Sequence, residues 1–178
     1  MDSEILELLD IINSSETYYT TSSCAGRLQL ISLPKLGDKL MSVVVGKWHQ
    51  PIEFDELKQA VDGWDGKHML FFMVQSPVVH VVCHDIDCAS RLRNLADGAG
   101  FKYSTIRSIH TSDSDRGPEQ TITIEILSTE RMDMPIGNNG TLYVSDEHLR
   151  FLLDLSVQAL ERSRKKMDRL TETLREHL

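Results

Sequence analysis

Cysteine is scarce in this 178-residue chain, limited to Cys24, Cys83 and Cys88. The number is odd, and the acidic start Met1-Asp2-Ser3-Glu4 lacks the positive charge of an export signal, so no disulfide framework is expected and the thiols read as reduced. Long apolar runs are also missing: none approaches the roughly 20 residues needed to cross a bilayer. A cytoplasmic protein with no membrane partner is expected. Neither Gly-x-Gly-x-x-Gly nor Gly-x-x-x-x-Gly-Lys-Ser/Thr occurs, which excludes a standard dinucleotide crevice and a P-loop. Positive charge is in deficit, with 19 Lys and Arg against 27 Asp and Glu, a net of −8. Broad, sequence-blind binding to nucleic acid needs concentrated cations and is excluded on that ground.

The acidity is unevenly placed. Residues 1–145 carry 12 bases and 20 acids, whereas Asp146 to Leu178 carries seven of each. Local positive groups remain inside the acidic sum: Arg91, Arg93, Lys102 and Arg107 between Cys83 and His110, and the knot Arg162-Ser163-Arg164-Lys165-Lys166, which suits the solvated face of a helix.

Hydrophobic periodicity predicts alternating helices and strands. Ile5, Leu8 and Ile12 recur at helical spacing behind Ser3, a good N-cap, and Asn13-Ser14-Ser15 ends that helix. Strands are expected at Tyr18 to Thr21, at Arg27 to Ile31 after the small-residue interruption Ser22 to Gly26, and at Ser42 to Gly46. A helix from about Phe54 to Val61 leads to two continuous apolar strands, Met69 to Val74 and Val78 to Cys83. Next come a helix from about Asp87 to Ala99 with Gly100 at its C-terminal cap, a strand Phe101 to Ile109, a mobile polar loop Thr111 to Pro118 and a strand Thr121 to Ile126. Asn138-Asn139-Gly140 turns the Met132 segment into Thr141 to Val144. The last element is a long helix capped by Ser145, with Leu149, Leu153, Val157, Leu160, Met167, Leu170 and Leu174 along one stripe. The expected fold is a single α/β domain over residues 1–178, a mixed sheet flanked by helices with the long helix at the C-terminus.

His80, Cys83, His84 and Cys88 have a superficial look of zinc ligands. Residues three apart on a strand point to opposite faces, so no metal site is expected. Ser22, Ser23 and Cys24 beside Gly26 would make a hydroxyl-rich and amide-rich turn suited to an anion, with Arg27 as a bidentate cation; a plain strand connection explains the same residues.

Thr20-Thr21-Ser22-Ser23-Cys24-Ala25-Gly26-Arg27, Gly46-Lys47-Trp48, Val79-His80-Val81 with Cys83, Ala99-Gly100-Phe101-Lys102, and Ser128-Thr129 before Met134-Pro135-Ile136-Gly137 follow one another in an order and spacing that resemble the tRNA wybutosine-synthesizing protein 3 family. Val144-Ser145-Asp146-Glu147-His148-Leu149-Arg150-Phe151-Leu152 is similar to the family's C-terminal segment, and a chain of this size looks like its archaeal, stand-alone form. The resemblance implies a methyltransferase, not of the standard Rossmann type, that uses S-adenosylmethionine to methylate N4 of the wyosine-type tricyclic base 3′ of the anticodon in phenylalanine tRNA. Its partner would be that anticodon loop, and a monomer is favoured. Two positions depart from the family pattern: Thr105 stands where a glycine is usual and Leu127 where an arginine is usual.

Methyl transfer from a sulfonium is an in-line displacement, so positioning and proton removal carry most of the catalysis. His80 is the candidate general base or base-edge contact, because histidine titrates near neutrality, and Asp133 is a second proton acceptor. Ser22, Ser23, Arg27 and Ser128 are candidates for cofactor or substrate binding. Lys47 offers a phosphate contact and Trp48 a stacking face beside it, with plain core as the rival reading of Trp48. Lys102 and Arg107 are candidate RNA contacts. Two other functions stay open: a non-catalytic tRNA-binding module, and an interaction protein that uses the Leu149 to Leu174 stripe to pair with a partner helix.

Overall fold

The computed structural model describes residues 5–37, 40–114 and 117–178, with the side chains of 112–119 excepted. Its elements are α1 (Leu6–Asn13), β1 (Tyr18–Cys24), β2 (Arg27–Leu33), β3 (Val43–Trp48), α2 (Phe54–Asp62), β4 (Met69–Gln75), β5 (Val78–Cys83), α3 (Ile86–Ala99), β6 (Thr105–Ser114), β7 (Gly117–Leu127), β8 (Met132–Asn138), β9 (Thr141–Leu142) and α4 (Asp146–His177). The α/β class and the long C-terminal helix are as expected. The chain forms two compact units. One comprises Met1–Ala25, Ser76–Thr129 and Arg162–Leu178, the other Gly26–Gln75 and Glu130–Glu161.

The single mixed sheet is corrected to two sheets, ordered β1-β5-β7-β6 and β3-β2-β4-β8-β9, in which every described pairing is antiparallel. The reason lies in what a β-α-β alternation encodes. Strands β5 and β6, joined by α3, do run parallel, because each is antiparallel to β7; but β7 lies between them. Likewise β3 and β4, joined by α2, are parallel across an inserted β2. Alternation of elements reports direction, while adjacency depends on a strand from elsewhere in the chain.

In the first unit, Tyr18, Val79, Val81, Cys83, Ile122, Ile124 and Ile126 turn one sheet face onto Leu8 and Ile12 of α1, Ala89, Leu92 and Ala96 of α3, and Met167, Leu170 and Leu174 of α4. In the second, Leu28, Leu30, Leu70, Phe72, Val74 and Ile136 pack with Leu57 and Val61 of α2 and Leu149, Leu152, Leu153 and Leu160 of α4. Of the stripe on α4, Leu149, Leu153, Leu160, Met167, Leu170 and Leu174 are thus taken up by the two cores and only the half-buried Val157 is not, so the stripe is not a free face for a partner helix. None of the three cysteines is in a disulfide, and burial pushes the Cys83 thiol up to about 12. Cys83 is in the core while His80 is on the opposite sheet face, as period-two alternation requires.

Local chemistry sets the helix ends. Asp85 accepts from the Cys88 backbone N–H at 2.7 Å and caps α3, one position earlier than expected, and Gly100 closes it at φ 106°. The Ser145 hydroxyl accepts from His148 N–H at 3.2 Å and caps α4. The expected cap Ser3 lies outside the described residues. Of the polar segment Thr111 to Pro118 expected as a mobile loop, residues 111–114 extend β6 and residues 117–118 extend β7, which pair as far as Ser114 with Gly117, while residues 115 and 116 lie outside the described residues. Phe101, expected to open β6, is buried in the first core, and the strand begins at Thr105. Thr is at home in strands and polar residues are tolerated on an edge strand such as β6, so polarity alone is a poor guide to a loop there. No helix among the described residues is long and apolar enough to cross a membrane.

Candidate active site

With Val79 and Val81 in the core, His80 occupies the other face of β5. It stands in register with Glu125 of β7, and its Nε2 lies 2.8 Å from Glu125 Oε1. Ser22 reaches the same imidazole through an irregularity in β1. Thr20 pairs with Val81 and Ser23 with Val79, so Thr21 and Ser22 together face the single residue His80. Such a β-bulge re-aims side chains, and here Ser22 Oγ comes within 2.5 Å of His80 Nδ1. Of the small-residue interruption Ser22 to Gly26, Ser22, Ser23 and Cys24 continue β1 with one extra residue, and the break between strands is confined to Ala25 and Gly26.

A second bulge serves the other side. Ile106 pairs with Ile124 and Ser108 with Thr123, which makes Arg107 the extra residue of β6. Its Nη1 lies 2.6 Å from Glu125 Oε1 and 2.9 Å from His80 Nε2. Hydrogen bonding from His80, with the Arg107 guanidinium beside it, holds the Glu125 carboxyl below the usual carboxylate range. The four side chains form a chain from the exposed Ser22 through His80, whose side chain is 16% exposed, to Glu125 and the half-exposed Arg107.

Beside Ser22, a cleft of about 600 Å³ runs between α1 and β1, with Ile5, Leu6 and Leu9 on one wall and Asp10, Thr21 and Ser23 among its polar lining. Asn13 is fixed to Thr20, accepting its backbone N–H at 2.8 Å. The Ser23 hydroxyl oxygen is buried and has no hydrogen-bond partner among the described residues.

In the second unit, Lys47, Gln29, Met73 and Asp133 are successive register partners across β3, β2, β4 and β8, and so share the face turned away from that unit's core. Arg27, two residues before Gln29, belongs to the same face. Asp133 is gripped by Arg131, with Nε at 2.7 Å and Nη2 at 2.5 Å from Oδ2. Trp48 does not stand beside Lys47. It is the next strand residue and faces the core, where its Nε1 donates to Glu56 at 2.6 Å and its ring covers Gly46. The stacking face expected next to Lys47 is therefore turned the other way.

The remaining candidates have other settings. Ser128 is buried and accepts from Lys166 Nζ at 3.0 Å, and Lys102 pairs with Asp97 at 2.9 Å. Of the residues singled out from the sequence, the structure thus brings together Ser22, His80 and Arg107. Glu125 was missed. Its only signal was alternation: a lone carboxylate between Ile124 and Ile126 must face away from the core, but which strand it meets there is a matter of long-range pairing. Among the described residues no cluster of three or more His, Cys, Asp or Glu could hold a metal.

The model of the methyltransferase TYW3 family matches residues 1–176. A Thermococcus kodakarensis protein named tRNA(Phe) 7-((3-amino-3-carboxypropyl)-4-demethylwyosine(37)-N(4))-methyltransferase 1 is 40% identical over 177 residues, covering 98% of this chain and 83% of its own. A Methanocaldococcus jannaschii methyltransferase of the same substrate name is 38% identical over 177 residues, covering 99% and 87%. Among solved structures, the PH1069 protein of Pyrococcus horikoshii superposes with a TM-score of 0.86 at 37% identity, covering 98% of this chain and 85% of that one. A hypothetical protein from Aeropyrum pernix gives 0.81 at 28% identity, covering 98% of each. The likeness carried by a handful of short motifs thus extends from end to end, and the chain belongs to the methyltransferase TYW3 family.

Proposed function

We propose that this protein is a cytoplasmic methyltransferase that moves a methyl group from S-adenosylmethionine to N4 of 7-(3-amino-3-carboxypropyl)-4-demethylwyosine in the anticodon loop of phenylalanine tRNA. Residues 1–178 would act as one domain, since the chain passes between the two units four times. The observation that carries the reading, within a family of methyltransferases, is the Ser22–His80–Glu125 chain opening beside the α1–β1 cleft.

The cleft suits the donor. Its volume is that of a small-molecule site, its apolar wall suits an adenine ring, Asp10 suits ribose hydroxyls, and the buried Ser23 hydroxyl is a donor with no acceptor of its own. S-adenosylmethionine would supply an electrophilic methyl on a positively charged sulfur. Ser22 and Ser23 would hold it or the base, and His80 would accept the N4 proton. Arg27, Lys47 and Ser128 are proposed substrate contacts and Lys102 an RNA contact. Asp133, tied to Arg131, is the second-choice base. Trp48 keeps a role through the core behind Lys47, not as a stacking surface.

Incubated with S-adenosylmethionine and phenylalanine tRNA from a strain lacking this gene, the purified protein is expected to add one methyl group, read by mass spectrometry of the digested nucleosides. Absence of methylation on every wyosine-type tRNA overturns the reading. Titration calorimetry should show saturable binding of S-adenosylmethionine; tRNA binding without it would favour a non-catalytic module.

A further inference from the structure

Both ring nitrogens of His80 are engaged, and they are not equivalent. Nε2 lies 2.8 Å from a carboxylate oxygen, which can only accept, while Nδ1 lies 2.5 Å from a hydroxyl, which can donate or accept. A lone pair on Nε2 would face the lone pairs of Glu125, whereas a proton there meets the strongest acceptor in the cluster. The Arg107 guanidinium, which can only donate, shares that acceptor at 2.6 Å; its 2.9 Å approach to Nε2 is then two donors side by side on one anion. Nδ1 is left with its lone pair toward the exposed Ser22, and Arg107, the other exposed member, can only donate and so cannot take up a proton.

We propose that Glu125, fixed by Arg107, is a positioning residue that keeps the proton of neutral His80 on Nε2, so that the catalytic path runs from the substrate's N4–H through the Ser22 hydroxyl to Nδ1. Arg107 is thereby reassigned from RNA contact to support of the base. The inference rests on the proposed methyl transfer. As the N4–CH₃ bond forms, the electron pair of the breaking S–CH₃ bond goes to sulfur. The N4 proton passes to Ser22 Oγ, while the hydroxyl proton of Ser22 moves to His80 Nδ1. Imidazolium then faces the Glu125 carboxylate, and loss of the proton to water restores the chain.

The test joins spectroscopy with kinetics on the full chain. Nitrogen-resolved NMR of the wild-type imidazole at a pH where it is neutral should show Nε2–H and a hydrogen-bonded, unprotonated Nδ1. Glu125→Gln should scramble that tautomer and lower kcat by between about tenfold and 10⁴-fold, as loss of an orienting carboxylate does elsewhere. KM for tRNA and the calorimetric affinity for S-adenosylmethionine should be unchanged. Arg107→Lys, which keeps the charge but not the fork, should give a smaller loss of kcat of the same kind. A wild-type Nδ1–H tautomer overturns the proposal, as does a Glu125→Gln variant that keeps wild-type tautomer and kcat or changes only KM. Because the tautomer is read without substrate, protein that shows it but methylates nothing overturns the proposed function alone.

Discussion

The two sheets share a construction and differ in what their outward faces hold. Each is built around a strand–helix–strand crossing with an antiparallel strand inserted, β5-α3-β6 around β7 and β3-α2-β4 around β2, and each packs one face against helices. On the outward face of the first, two bulges gather a serine, a histidine, a glutamate and an arginine from four strands into one hydrogen-bonded chain. The second has a regular cross-strand row, Lys47-Gln29-Met73-Asp133, and its carboxylate is occupied by a neighbour two residues away on the chain. A regular sheet spaces its side chains evenly. Interrupting the register is what brings groups from β1 and β6 within proton-transfer distance of β5 and β7.

The largest expected effect tests that contrast directly. His80→Ala should lower kcat by about 10²–10⁴, the range for loss of a general base, while its circular dichroism and melting stay near wild type because His80 lies outside the core. Asp133→Asn should cost much less, and the reverse order of kcat values would move the base to the second sheet. Next in size are the cores. Phe72→Ala in the second unit should destabilise by about 3–5 kcal/mol and Ile124→Ala in the first by about 2–5 kcal/mol, since both side chains are fully buried. Urea unfolding measures both, and a loss below about 1 kcal/mol at either position would show that its core repacks freely.

The pH dependence is smaller. Glu125 is held below its unfolded value, so its contribution is complete above the ordinary carboxylate range and is lost as pH falls through the depressed folded value. The urea midpoint should fall on acidification below about pH 4.5, and Glu125→Gln should flatten part of that fall. Smallest is the cap of α3: Asp85→Ala removes the acceptor for Cys88 N–H and should lower the midpoint slightly in the same assay. The salt dependence of tRNA binding should be shallow, corresponding to roughly three to five neutralised phosphates, as suits a chain of net charge −8.

The elements that periodicity predicts best are those whose order is local. α2, β4, β5, α3 and α4 are placed within a residue or two, because apolar spacing and caps belong to the segment itself. Ser22, Ser23 and His80 stand out in the sequence through a resemblance, and the structure adds that Ser22 and His80 are bonded. Glu125 and the role of Arg107 were not legible, since each depends on which strand lies alongside, and of the two readings of Trp48 the structure favours the core one, because immediate neighbours on a strand face opposite ways. The split into two sheets was hidden for the same reason: β7 and β2 enter between strands that are consecutive in the alternation.

The helix α4 places Leu149, Leu152, Leu153 and Leu160 in one core and Met167, Leu170 and Leu174 in the other. Neither core is therefore complete until α4 has left the ribosome. Strand pairings such as Tyr18 with Cys83 must also wait for partners far downstream. Such a high contact order favours slow folding, in the millisecond-to-second range, and makes a chain truncated within its last helix a substrate for proteolysis, because it would lack part of a core it cannot replace.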